Sequence, residues 1–265
     1  MSNYSRSLRR SLLVGFAVFL SIFLSVIYLS YERSPLIFEY HHNTTGRLIF
    51  IGDVHGHLNS LDKLLEKLRL KPEDQVILLG DMVSKGPDSI GTIARAKEIN
   101  ALCVRGNHEE LVIRWKNCYK RNCNIGYINK EHQRIASALP PELYEYLVNC
   151  PLIIHIPEHS VYAVHAGLNP YRPINQQNPY YIMNIRRLLA NRQPAKDNKE
   201  GTPWSTVWNA MQSTLPHPKT VLYGHESSRG LAVLPYAIGL DSGCGRNKWL
   251  TAVVYPQREF VSVKC

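Results

Sequence analysis

An α/β fold is predicted by three features of the 265-residue sequence. Apolar runs at 48–51, 75–79 and 101–105 recur at nearly the ~30-residue spacing of a strand–helix–strand unit. The segments between them place apolar residues at helical intervals. Beyond 152, short apolar runs alternate with turns rich in Gly, Pro and Asn, the pattern of a second sheet. With 45% apolar residues, the chain can bury one large core and has no need of a second folded domain.

Residues 1–10 carry Arg6, Arg9 and Arg10 and no acid, and read as a cytosolic tail. Residues 11–30 are uncharged and almost wholly Leu, Val, Phe, Ile, Ala and Ser, matching the ~20 residues of a membrane-spanning helix. A cleaved signal peptide has an apolar stretch of only ~7–15 residues, so an uncleaved signal anchor is expected. The basic flank keeps the amino terminus cytosolic and sends the rest to a lumen or outside the cell, as in a single-pass type II membrane protein. Residues 31–46 are polar, with Pro35, His41 and His42, and read as a stalk before a lumenal domain at 47–265. Asn43-Thr44-Thr45 is a glycosylation sequon consistent with that side of the membrane.

Within the domain, Leu61, Leu64, Leu65 and Leu68 share one face of a helix expected at 58–68. Asp88 is a plausible N-cap for the next, which runs through Ile90, Ile93, Ala94 and Ala96 to Asn100. Residues 109–147 are helical in pattern, with a polar interruption at 118–129 and a break at Pro140-Pro141, and form a candidate cap. Further strands are expected at 152–156, 161–164, 221–223, 231–234, 237–240, 250–255 and 260–263. Between them, 169–218 carries Tyr171, Tyr180, Tyr181, Arg186, Arg187, Trp204 and Trp208, and its length suggests a substrate-side loop.

Cys118 and Cys123 are spaced so that a disulfide could join them in an oxidising lumen, or they are two unrelated thiols. Cys103 reads as core, and Cys150, Cys244 and Cys265 have no evident partner. The net charge is +10, only three arginines of which lie in the first thirty residues. A basic domain suggests an anionic partner such as nucleic acid, polyphosphate or a membrane surface, the plain alternative being a well-solvated exterior.

Polar side chains follow the apolar runs with regularity. Gly52-Asp53-Val54-His55-Gly56, Gly80-Asp81 and Gly106-Asn107-His108-Glu109 close the first three, and His165-Ala166-Gly167 and Gly224-His225-Glu226 close two later ones. Taken singly, an Asp-x-His at a strand end is more often only a turn. Together, Asp53, His55, Asp81, Asn107, His165 and His225 are enough for two divalent ions, gathered at the carboxyl ends of strands where α/β sheets place their sites. One ion takes Asp53, His55 and Asp81, the other Asp81, Asn107, His165 and His225, with Asp81 bridging. Oxygen and imidazole donors suit Zn, Mn, Co, Fe or Mg. Two such ions, ~3.5–4 Å apart, can activate a bridging hydroxide for in-line phosphoryl displacement. His108 is free to protonate the leaving oxygen, and Lys85 and Arg105 are candidates to hold phosphate oxygens.

The ordered motifs resemble the calcineurin-like metallophosphoesterases, in the branch holding the phosphoprotein phosphatases and the bacterial symmetrical diadenosine tetraphosphatases. That resemblance implies a sandwich of two mixed β-sheets flanked by helices and the two-metal ligand set above. The phosphoprotein phosphatases carry an Asp-Arg pair after the bridging aspartate; here those positions are Ser84 and Lys85, so His108 lacks the usual orienting carboxylate and the arginine clamp is gone. Gly239-Leu240-Asp241-Ser242-Gly243-Cys244 is similar to the closing motif of the tetraphosphatases. With a membrane anchor added, the pattern most resembles the zinc-dependent vacuolar endopolyphosphatases of fungi. This implies internal cleavage of inorganic polyphosphate on the lumenal side of a vacuole membrane, with zinc as the first choice of metal and no nucleic-acid partner. The alternatives are a dinucleoside polyphosphate hydrolase, a serine/threonine protein phosphatase and, outside enzymes, an inactive binding module, against which the intact ligand set argues.

Overall fold

The computed structural model describes residues 36–43, 45–121 and 128–265, so the tail and anchor expected at 1–30 lie outside the described residues. Among the described residues, no helix is long and apolar enough to cross a membrane. The first element, β1 (Ile37–Glu39), lies in the segment expected to be a stalk. It pairs in parallel with residues 153–155, so the folded part starts before Arg47. The short apolar run Leu36-Ile37-Phe38 explains it: Leu36 and Ile37 pack against a buried cluster that includes Val164 and Val221.

The following β2 (Leu48–Ile51), α1 (Leu58–Leu68), β3 (Gln75–Leu78), α2 (Ser89–Glu98) and β4 (Leu102–Cys103) follow the expected alternation. The three strands are parallel neighbours. Asp88 caps α2 through its side chain, which accepts the Gly91 N–H. Then come α3 (Asn107–Arg121), α4 (Lys130–Ala138) and α5 (Pro141–Asn149), the last with Pro141 at its first turn, where a missing N–H costs nothing.

Next are β5 (Ile153–Ile156) and β6 (Val161–Val164), an antiparallel pair. The stretch at 169–218, expected as a loop, has structure of its own. A short helix, α6 (Pro179–Ile182), precedes a small sheet of β7 (Arg187–Leu188), β8 (Pro194–Ala195) and β9 (Thr202–Pro203), and α7 (Trp204–Gln212) follows. Trp204 and Trp208 are buried, which anchors this insert to the domain. The chain ends its fold with β10 (Thr220–Tyr223), β11 (Ala232–Leu234), β12 (Ala237–Gly239), β13 (Trp249–Tyr255) and β14 (Glu259–Lys264).

Two mixed sheets result, in the orders β1-β5-β6-β10-β12-β11 and β14-β13-β2-β3-β4. The late strands were expected to share the second sheet, but β13 lies antiparallel to β2 and completes the first. Strand alternation explains the layers. Leu48 and Phe50 face a core between the sheets with Ile77, Ile154 and Leu222. Ile49 and Ile51 point the other way, to Leu61, Leu64 and Leu65 of α1. A central strand buried on both faces must be apolar throughout, as β2 is.

Two disulfides fasten this frame. Cys103–Cys150 joins β4 to the end of α5, and Cys244–Cys265 joins the turn after β12 to the residue after β14. This corrects the reading of Cys103 as plain core and of the other three as unpartnered. Cys118 is also disulfide-bonded, and Cys123 lies outside the described residues. With sequence separations of 47 and 21, loop closure gives the two bonds stabilisations on the order of 4 and 3 kcal/mol.

The starts of β2 and β3 are held by one ion pair. Asp74 accepts Arg47 Nε at 3.1 Å and the backbone N–H groups of Arg47 and Lys71 at 2.9 and 3.0 Å. Burial alone would raise the Asp74 carboxyl, but Arg47 and the backbone donors outweigh it and hold it at about 2. A carboxyl below its unfolded value stabilises the fold above pH ~4 and loses that contribution as pH falls through its folded value. Asp74→Ala should therefore cost about 2 kcal/mol in denaturant melts at pH 7, and the difference from the parent protein should vanish between roughly pH 4 and pH 2.

Candidate metal centre

The expected donors sit where strands turn into helices or loops. His55, Asp81 and His225 adopt left-handed backbone conformations, with φ of 51°, 50° and 70°. Such conformations cost non-glycine residues on the order of 1–2 kcal/mol and persist only where the surroundings enforce them. At Asp81 the enforcing group is the buried carboxylate of Glu109. One of its oxygens accepts the Asp81 and Gly106 N–H groups at 2.7 and 3.0 Å, and the other accepts those of Met82 and Val83 at 2.8 and 3.2 Å. Burial raises this carboxyl to about 7, while the backbone donors pull toward the anion. Gly106 is required at the crossing: a Cβ there would lie 2.3 Å from Asp81 Oδ1 and 2.4 Å from Asp81 N.

The six donors converge. His55, Asp81 and His108 form one group with metal-ligand spacing, and Asp81, His165 and His225 form another, sharing Asp81. Asp53 lies between them: its Oδ2 is 3.8 Å from His55 Nε2, and its carboxylate accepts the His225 N–H at 3.0 and 3.1 Å. Asn107 Oδ1 is 3.0 Å from His165 Nε2, which is also 3.4 Å from Asp81 Oδ1.

Two of the imidazoles are oriented from behind. His55 Nδ1 is 3.1 Å from the Val83 carbonyl and His165 Nδ1 is 2.8 Å from the Leu79 carbonyl. A carbonyl has no proton to give, so both Nδ1 atoms donate and the Nε2 lone pairs face inward. The His225 Nε2 is buried and has no hydrogen-bond partner among the described residues. A neutral His165 would aim its lone pair at two oxygens, an arrangement that is repulsive without positive charge between them. Burial would lower this imidazole, but the Asp81 and Asp53 carboxylates push it up to about 10. Burial and the Asp241 charge raise Asp53 well above the carboxylate range, and burial lowers His55 to about 3. A cluster that draws positive charge, with inward lone pairs and shared carboxylates, fits hard divalent cations.

Around this set, Lys85 Nζ lies 2.7 Å from His55 Nε2, so the structure brings Lys85 to the donors. His108 directs Nε2 toward Asp81 Oδ2, 3.8 Å away. Arg105 does not join them. Its guanidinium is buried and bonded to Glu110 at 3.2 Å and to the Val148 carbonyl at 2.7 Å, so the expected substrate contact is replaced by a structural one. Asp241 was missed, although its motif stood out; it is buried and its charge acts on Asp53 and Asp81. His132 was missed too; it lies in the helical pattern beyond the polar interruption, where a buried histidine reads as one more inward position.

Residues 46–246 match the family model for calcineurin-like phosphoesterases. Among curated relatives, the zinc-dependent endopolyphosphatase of Saccharomyces cerevisiae is 28% identical, over 77% of this chain and 74% of its own. A symmetrical bis(5'-nucleosyl)-tetraphosphatase of Coxiella burnetii is 25% identical, over 89% of this chain and 96% of its own. A crystal structure of a protein assigned as a diadenosine tetraphosphatase superposes with a TM-score of 0.76 at 33% identity, covering 87% of this chain and 98% of that one.

Glu109→Gln keeps the side-chain shape but turns an NH2 group toward backbone donors. It should destabilise the protein by about 2–3 kcal/mol in chemical denaturation and lower the divalent metal recovered per chain by elemental analysis. Unchanged stability and metal content would refute the role given to this carboxylate.

Proposed function

The chain belongs to the calcineurin-like phosphoesterases and is a metal-dependent hydrolase, and from that premise we propose that it cleaves inorganic polyphosphate within the polymer at a two-metal site. The observation that carries this reading is the sharing of Asp81 between two donor groups. Asp53, His55 and Asp81 would hold one ion, and Asp81, Asn107, His165 and His225 would hold the other. When bound, the ions supply a nucleophile at neutral pH and neutralise charge on the phosphate under attack. His108 faces the same centre and gives its proton to the leaving oxygen. Lys85 provides a cation beside the donors for phosphate oxygens.

Polyphosphate is supported by the yeast relative named an endopolyphosphatase and by the +10 charge of the chain, which suits a long polyanion. Ser84-Lys85 in place of Asp-Arg removes the clamp expected for a phosphorylated side chain. Dinucleoside polyphosphates are the second reading, favoured by the Coxiella relative and the 33%-identical crystal structure. Zinc is the proposed metal.

The location is proposed on separate grounds. The uncharged stretch at 11–30 behind Arg6, Arg9 and Arg10 supports a type II anchor, and the disulfides Cys103–Cys150 and Cys244–Cys265 suit an oxidising compartment such as a vacuole lumen. Asn43, in its sequon, is exposed.

Long-chain polyphosphate, diadenosine tetraphosphate and a phosphopeptide should be offered with Zn, Mn, Co or Mg, and the products resolved by length. Chains of intermediate length are expected; single phosphates alone would indicate attack from the ends, and absence of polyphosphate turnover would sink the substrate assignment. Asn107→Ala should abolish turnover with little change in melting, and His108→Ala should lower kcat by about 100-fold or more. In cells that glycosylate, the parent chain should lose mass on deglycosylation and Asn43→Gln should not.

A further inference from the structure

Ser84 stands where the resemblance to the phosphoprotein phosphatases places an aspartate, yet His108 is not left unsupported. Its Nδ1 lies 2.9 Å from Nε2 of His132. The ring centroids are 5.0 Å apart and the planes differ by 28°, the near-coplanar arrangement that an in-plane N–H···N bond requires. His132 is only 2% exposed, and it comes from the first turn of α4, an element with no place in the metal-ligand set.

The tautomers follow from the next contact. Asn129, the N-cap of α4, accepts the His132 backbone N–H at 3.0 Å through Oδ1, and the same oxygen is 2.8 Å from His132 Nδ1. An amide oxygen has no proton to donate, so His132 Nδ1 carries the hydrogen and its Nε2 offers a lone pair. His108 must then donate from Nδ1, which turns its Nε2 toward the metal donors. Glu131 seats the same helix on the loop that lacks the carboxylate: it accepts the Ser84 hydroxyl at 2.9 Å and the Lys85 N–H at 2.6 Å.

We propose that His132 is the positioning residue for His108, delivered by α4 in place of a carboxylate from the Ser84 loop. This rests on the reading of His108 as proton donor. In the acid form both nitrogens of His108 carry hydrogen; the Nε2 proton passes to the leaving phosphate oxygen, and the Nδ1 hydrogen stays bonded to His108 and shared with His132. Because His132 is a neutral acceptor fixed by Asn129, it sets ring rotation without adding a negative charge beside Asp81.

A double-mutant cycle in the full chain tests this on a substrate that the parent protein hydrolyses. His132→Ala should lower kcat about tenfold or more, with KM within about twofold, and the His108→Ala/His132→Ala pair should be no slower than His108→Ala alone. His132→Gln, whose amide oxygen can accept the same hydrogen, should retain most of the activity. His132→Phe keeps the ring without its nitrogens and should behave as His132→Ala does, even if the alanine variant folds poorly. An unchanged kcat in His132→Ala or His132→Phe, or losses that multiply in the double variant, would overturn the positioning role alone. A parent protein inactive on every phosphoanhydride would bring down the functional reading, and this inference with it.

Discussion

The Glu109 carboxylate ties together the turns that follow two neighbouring strands, β3 and β4. Four backbone N–H groups, three after β3 and one after β4, converge on its two oxygens. Buried donors without acceptors would each cost about 1–3 kcal/mol, so the carboxylate fixes the path of the backbone as well as its position. The left-handed turn at Asp81 is tolerated because that path leaves no relaxed alternative. Asp81, common to the two donor groups, is thereby held by main-chain geometry.

Much of this architecture is legible in local sequence, and the reason is periodicity. β2, β3 and α1 bury apolar residues on faces that repeat every two or nearly four positions, and the ligand motifs follow directly. Partnership across long separations carries no such mark. Nothing around Leu250 shows that it belongs beside β2 rather than β12, and nothing around Cys103 points 47 residues ahead to Cys150. Arg105 shows a related failure: adjacency to a motif in sequence does not fix which way a side chain leaves the strand, and this one leaves toward Glu110 and Val148.

His132 marks the remaining limit. It lies in a stretch that reads as helix, where nothing marks one histidine among the inward positions, so only the placement of α4 against the Ser84 loop brings it to notice. Ser84 offers His108 no carboxylate, and His132 of α4 lies against its Nδ1. What brings His132 to His108 is the docking of a helix, which sequence spacing does not encode.

The pairing of β13 with β2 also bears on how the protein is made. Ile51 and Ala252 are neighbours in the sheet although some two hundred positions separate them in the chain. During synthesis, β2 emerges with one edge unsatisfied and keeps it bare until almost the whole polypeptide has been produced. The strands that lead into Asp53 and Asp81 therefore have an open, adhesive edge while the chain grows, and shielding of that edge favours native folding over aggregation.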